Sequence, residues 1–152
     1  MLRMSKLTDY GTLVLAQLSS GSGGLSSAGQ VADATHIAQP TVSKLLKSLT
    51  RAGLVVSGRG AQGGYALSRA PELISAADII DALEGPVAIT ECSSSNGSCD
   101  IEEFCRVGRA WQRINRSIRH ALKDVSLADL QRNAEPLPPP DLKSALRVSA
   151  AS

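Results

Sequence analysis

The sequence predicts a mostly helical fold, a winged helix-turn-helix followed by a long C-terminal dimerisation helix. Three observations carry this. Three helix signals precede residue 53, two short β-prone runs separated by glycines follow them, and residues 107–125 carry apolar side chains at alternating spacings of four and three.

In the first element, Leu7, Tyr10, Val14 and Leu18 recur at helical spacing, with Ser5 as N-cap and Gly21-Ser22-Gly23-Gly24 as its end. Ser27-Ala28-Gly29-Gln30 has the form of a capping box and opens a short helix through about Thr35. After the turn His36-Ile37-Ala38, Pro40 suits the first position of a third helix, where its missing N–H costs nothing. Val42, Leu45, Leu46 and Leu49 supply that helix with a buried face, and Gly53 ends it. Leu54-Val55-Val56 and Tyr65-Ala66-Leu67 then read as a hairpin with a glycine-rich tip, the wing. A second capping box, Ser75-Ala76-Ala77-Asp78, starts a helix that ends at Gly85-Pro86. A polar loop spans about Ile89 to Phe104, a longer helix about Cys105 to Val125, and Ser126-Leu127-Ala128-Asp129 caps one more turn. The chain therefore divides into a winged-helix unit (1–88), a cysteine loop (89–105), a dimerisation region (106–132) and a proline-rich tail (133–152) expected to be disordered.

Composition narrows the function. The 152 residues include 43% hydrophobic but only four aromatic side chains, so the core is expected to be aliphatic. No apolar run approaches the roughly 18 residues of a membrane span. Arg3, Lys6 and Asp9 interrupt any signal-peptide core, which predicts a soluble, cytoplasmic protein. The net charge of +2 conceals a strong segregation: +5 over residues 1–70, −8 over 71–105, +6 over 106–123 and −1 beyond. A basic N-terminal half suggests a polyanionic partner, double-stranded DNA, although chance clustering on a solvated surface produces the same count.

On the third helix, Gln39, Thr41, Ser43 and Lys44 are the base-edge candidates, because residues near a recognition helix's N-terminus reach into the major groove. Lys47 and Arg51 further along suit phosphates, and Arg59 at the wing tip suits a narrow minor groove. A winged helix used for protein contacts is the alternative.

Cys92, Cys99 and Cys105 lie in ECSSSNGSCDIEEFC, a segment of mostly small and polar residues able to wrap a ligand. Thiolates suit iron–sulfur clusters, zinc or copper, but the close cysteine pairs usual in structural zinc sites are missing. Three unligated thiols, or a disulfide switch, remain open. A helix starting near Cys105 points its free N–H groups at this segment, and Arg106 and Arg109 add positive charge against an anionic site. Val107, Trp111, Ile114, Ile118, Leu122 (or Ala121) and Val125 then form a seam suited to a partner helix, with packing on the chain's own domain as the alternative. His36 and His120 lack identifiable partners, and with no nucleotide-binding glycine motif no catalytic role is assigned: the chain does not read as an enzyme and no small-molecule substrate is expected.

The order of these features, from SKLTDYG through the helix-turn-helix, the RGAQGGY wing, three spaced cysteines and the Trp-bearing helix, resembles the IscR/NsrR family of iron–sulfur transcription regulators. The likeness spans about residues 1–132 and is nearest to the SUF-system iron–sulfur assembly regulators of proteobacteria. It implies a homodimer on operator DNA, with Cys92, Cys99 and Cys105 holding a 2Fe–2S or 4Fe–4S cluster whose state alters DNA binding. IscR-like members place a His three residues after the third cysteine, where this chain has Gly108. NsrR-like members use an Asp on the N-terminal helix of the other subunit, which corresponds to Asp9; the alternative is that Asp9 only complements its helix dipole. The expected function is repression of iron–sulfur assembly genes. A nitric-oxide- or iron-responsive repressor is the rival within the family, and an electron-transfer protein using the winged helix as a scaffold is the rival outside it.

Overall fold

The computed structural model describes residues 3–21, 23–93 and 106–132. In chain order the helices are α1 (Lys6–Ser20), α2 (Ala28–Thr35) and α3 (Gln39–Arg51); strands β1 (Val55–Gly58) and β2 (Gly64–Leu67) follow; then come α4 (Ala76–Leu83), α5 (Gly108–Lys123) and α6 (Leu127–Gln131). Short 3-10 turns occupy Pro71–Leu73 and Glu91–Ser93. The fold is mostly helical with a two-stranded wing, as the sequence predicts. The proline-rich tail, expected to be disordered, lies outside the described residues.

Local chemistry sets the helix starts. Ser5 caps α1 by accepting from the Leu7 N–H, and the Ser27–Gln30, Ser75–Asp78 and Ser126–Asp129 capping boxes are all formed. The third helix begins one residue earlier than its proline suggests: Ala38 is the N-cap, so Pro40 takes the second helical position, still within the turn whose N–H groups have no intrahelical acceptor. Gly53 has φ 79°, a left-handed conformation that turns the chain off α3 toward the wing. The long helix starts at Gly108 rather than near Cys105 and ends at Lys123; Arg106 and Val107 precede its first turn, and Asp124 caps it.

The core is aliphatic. Val14, Leu15 and Leu18 of α1 meet Val31 of α2, Val42, Leu45, Leu46 and Leu49 of α3, Val55 of β1, Ile79 of α4, and Leu54 and Ile74 between elements. Full burial of such a side chain is worth about 1.5–3 kcal/mol relative to exposure. Leu127 of α6 joins this same core. It is held there because the N-caps of α4 and α6 pair antiparallel, Ser75 against Ser126, with Leu127 N–H donating to Ile74 O at 2.7 Å and Ala76 N–H to Val125 O at 2.8 Å.

The wing is fastened at its base. β1 and β2 pair antiparallel with Ser57 opposite Tyr65 and Gly58 opposite Gly64. Ser26 extends the ladder by exchanging both backbone hydrogen bonds with Tyr65, at 2.9 and 2.8 Å. A Cβ on Gly64 would stand 2.6 Å from the Ser26 carbonyl oxygen, so this contact admits only glycine.

α1 and α4 are joined at their ends by Glu84, the C-cap of α4. Its carboxylate accepts from the Ser5 N–H at 2.8 Å, the Ser5 hydroxyl at 2.9 Å and the Thr8 hydroxyl. Led by Thr8, these donors hold its pKa below the ordinary value. Asp129 is shifted the same way by the Ser126 backbone and hydroxyl. At Asp78, burial pushes the pKa up, but hydrogen bonds from Ser75 and the Arg69 charge outweigh it and the net shift is downward.

A carboxylate with a depressed folded pKa contributes stability above its unfolded pKa and loses it as pH falls through the folded one. Glu84→Gln is therefore expected to melt below the wild type at neutral pH, with the gap closing as pH falls below about 4 in thermal melts. Gly64→Ala is expected to destabilise the fold by about 1–3 kcal/mol in urea titrations, by forcing β2 off Ser26.

Candidate functional site

α2 and α3 are joined by a tight turn in which exposed His36 takes a left-handed φ of 56°. Burial of Val42, Leu45, Leu46 and Leu49 turns the opposite side of α3 outward. Gln39, Lys44, Lys47 and Arg51 are exposed there, while Thr41 and Ser43 are half-buried. Arg59 is exposed on the loop between β1 and β2. The structure thus places the seven sequence-predicted DNA candidates on two exposed features, one helix face and one hairpin tip.

Electrostatics separate these cations from a structural one. Among the described residues, ion pairs are made by Arg69 with Asp78, Arg119 with Asp81 and Arg132 with Asp129. Lys44, Lys47, Arg51 and Arg59 are not among them, so their charge is left for a ligand. Arg69, in the same basic half, donates to Leu73 O at 2.9 Å and to Asp78 at 3.2 Å and belongs to the scaffold.

The cysteine segment is described at its first ligand candidate only. Cys92 lies half-buried in the turn Glu91–Ser93. Cys99 and Cys105 lie outside the described residues. Three side chains that sequence reasoning missed organise this stretch. Thr90 Oγ1 lies 3.2 Å from Cys92 Sγ and 2.6 Å from Ser93 Oγ. Gln112 on α5 donates to Cys92 O at 3.1 Å. Asn115, 6% exposed, donates to Val87 O at 3.0 Å and accepts from the Ile89 N–H at 3.3 Å. α5 thereby grips the segment leading to Cys92. Gln112 and Asn115 carry no local signature, since their partners are backbone atoms more than 19 residues away.

The acidic block is only partly available to a cysteine site. Asp78 caps α4, Asp81 forms a two-pronged pair with Arg119 at 3.1 and 2.8 Å, and Glu84 holds α1. The Asp81 hydrogen bonds push the Arg119 guanidinium pKa up and outweigh burial, which lowers it, with the Asp81 and Asp78 charges adding to the rise.

Asp9 is exposed on α1 and lines an apolar hollow of about 530 Å³ with Met4, Leu13, Ile80, Leu122 and Leu130. Along α5, Val107, Trp111 and Ile114 are exposed at 59%, 43% and 43%. Ile118 and Leu122 are half-buried, and the side of α5 turned to its own domain carries Gly108 and Asn115. The N-terminal half of the apolar seam is therefore open in a single chain.

Residues 4–133 match the family model Rrf2, described as an iron-dependent transcriptional regulator. The chain belongs to the Rrf2 family. It is similar to the solved structure of CymR (YrzC), the global cysteine regulator of B. subtilis, at 31% identity and a TM-score of 0.64, covering 86% of this chain and 96% of that one. IscR from T. potens matches at 30% identity and a TM-score of 0.62, over 99% of this chain and 93% of that one. CymR from Staphylococcus aureus matches at 28% identity and a TM-score of 0.59, over 87% and 100%. Rrf2 proteins are DNA-binding transcription regulators, typically dimeric, and not enzymes. Among the described residues no helix is long and apolar enough to cross a membrane.

Lys44→Ala and Arg59→Ala are each expected to weaken binding to a preferred duplex by about 1–3 kcal/mol in fluorescence anisotropy titrations. Unchanged affinity in both would remove α3 and the wing as the reading surface.

Proposed function

We propose that this Rrf2 protein is a cytoplasmic, homodimeric repressor of suf-type iron–sulfur assembly genes that senses through a bound iron–sulfur cluster. The ligands are Cys92, Cys99 and Cys105, with Asp9 of the partner subunit in the fourth position. The observation that carries this reading is the preparation of Cys92: a half-exposed soft ligand whose peptide is held by Gln112 and whose sulfur faces the Thr90 hydroxyl. That donor set fits the group, since a thiolate sulfur accepts hydrogen bonds and such bonds tune cluster potentials. A bound cluster supplies a redox- and oxygen-sensitive centre. The chain's own part would be to hold it: Thr90 Oγ1 stands 3.2 Å from the Cys92 sulfur and 2.6 Å from Ser93 Oγ, and where Ser93 supplies the proton of that second contact the Thr90 proton can go to the sulfur. Dimerisation uses the open seam of Val107, Trp111, Ile114, Ile118 and Leu122, and brings two reading heads to a two-fold operator.

Likeness to CymR favours a second reading, in which the regulated genes serve cysteine supply and the same cysteines act without a cluster. Genome-wide mapping of bound sites separates the two by the genes recovered.

Protein purified without oxygen is expected to be coloured, with charge-transfer absorption that Cys92→Ala abolishes and Asp9→Ala weakens. Thr90→Val is expected to keep the colour and to lower the cluster's midpoint potential in a redox titration, because removing a donor from sulfur destabilises the reduced state. Colourless protein containing zinc would sink the cluster assignment.

A further inference from the structure

Between α3 and the wing lies a hollow of about 320 Å³ lined by Lys47, Thr50, Arg51, Ser57 and Tyr65. We propose that it seats one backbone phosphate of the bound duplex, clamped between the recognition helix and the hairpin by two cations and two hydroxyls.

The lining is all donors and no carboxylate. Lys47 and Arg51 stand one helical turn apart on the outward side of α3, and neither forms an ion pair among the described residues. Ser57 and Tyr65 are directly opposite partners across β1 and β2, so their side chains project from the same face of the hairpin. Among the described residues Thr50 Oγ1 has no hydrogen-bond partner, but it is sealed from solvent and does not count among the donors open to the hollow. The opposite wall is preorganised: the Tyr65 backbone is hydrogen-bonded to Ser26 in both directions, at 2.9 and 2.8 Å, so the ring is carried on a fixed strand.

The location identifies the anion. The inference rests on the reading in which α3 enters the major groove and Arg59 the adjacent minor groove. Adjacent grooves of a duplex are separated by one sugar–phosphate strand, and that strand must cross the space between α3 and the wing. The hollow lies in that space. A phosphate diester, with two unesterified oxygens and a fixed charge, matches a forked guanidinium, an ammonium and neutral hydroxyl donors. Ser57 and Tyr65 are thereby given a role in DNA binding beside Lys47 and Arg51.

The test uses the full chain and a fluorescent duplex carrying a genomically mapped site, with Lys44→Ala and Arg59→Ala as references for the reading itself. Lys47→Gln and Arg51→Gln are expected to lower the steepness of log affinity against log salt by about one each. Tyr65→Phe and Ser57→Ala are expected to weaken binding about tenfold each, because each removes a donor to a charged oxygen. Since neither removes a charge, their salt slopes stay at the wild-type value. The loss is expected to be equal on the mapped site and on unrelated sequence, because a phosphate carries no base information. A duplex with one neutral methylphosphonate at the contacted position should weaken the wild type and leave Tyr65→Phe no worse. Thermal melts of Tyr65→Phe and Ser57→Ala close to wild type make these losses local.

Wild-type affinity in Tyr65→Phe and Ser57→Ala, with Lys44→Ala and Arg59→Ala still impaired, overturns the seat and leaves the reading standing. Wild-type affinity in all four overturns both. Inorganic phosphate that binds in calorimetry, loses binding in Tyr65→Phe and does not compete with the duplex would assign the hollow to a free anion and also overturn the proposal.

Discussion

The aliphatic stripe of α3 is the constraint on which the rest of the molecule depends. Val42, Leu45, Leu46 and Leu49 are all at most 2% exposed, packed against α1, α2 and the start of the wing. A helix anchored along one side has no rotational freedom left, so the side chains opposite the stripe face outward. That is why Lys44, Lys47 and Arg51 remain in solvent without carboxylate partners among the described residues, and why Gly53 can direct the chain from α3 straight into the hairpin. The reading surface is thus the complement of the core, and any change that turns α3 displaces every proposed base contact together.

A second set of ties connects this reader to the cysteine segment. Glu84 fastens the end of α4 to the beginning of α1, the helix that bears Asp9. Beyond Glu84 the chain passes to Val87 and Ile89, both held by Asn115 of α5, and then to Cys92, held by Gln112. α5 is in turn pinned to α4 through Arg119 and Asp81. One continuous route of hydrogen bonds therefore runs from the segment carrying the first cysteine to the N-terminus of α1.

Much of this was legible in the chain because it is local. Capping boxes need only Ser at one position and Gln or Asp three residues later, and all three form where the pattern occurs. Helix boundaries were less legible where the start has no side-chain cap: α5 begins at Gly108 with none, and α3 begins at Gln39 although Pro40 marks it. Glu84, Asn115 and Gln112 left no trace, because each acts on backbone or hydroxyl groups 20 or more residues away. Tyr65 read only as a strand residue and Ser57 lay outside the expected runs, and the face of the hairpin they share depends on its register.

Sequence alone was enough for the helix order, the wing and the division of charge among segments, since periodicity, caps and glycines act over a single turn or hairpin. Tertiary packing assigned the charges their work. Arg69, Asp78, Asp81 and Glu84 became parts of the scaffold, whereas Lys44, Lys47, Arg51 and Arg59 form no ion pair among the described residues. The physical reason is distance: a charge is neutralised or left free by what stands within about 4 Å of it, and for these residues only the folded arrangement brings a partner that close or keeps one away.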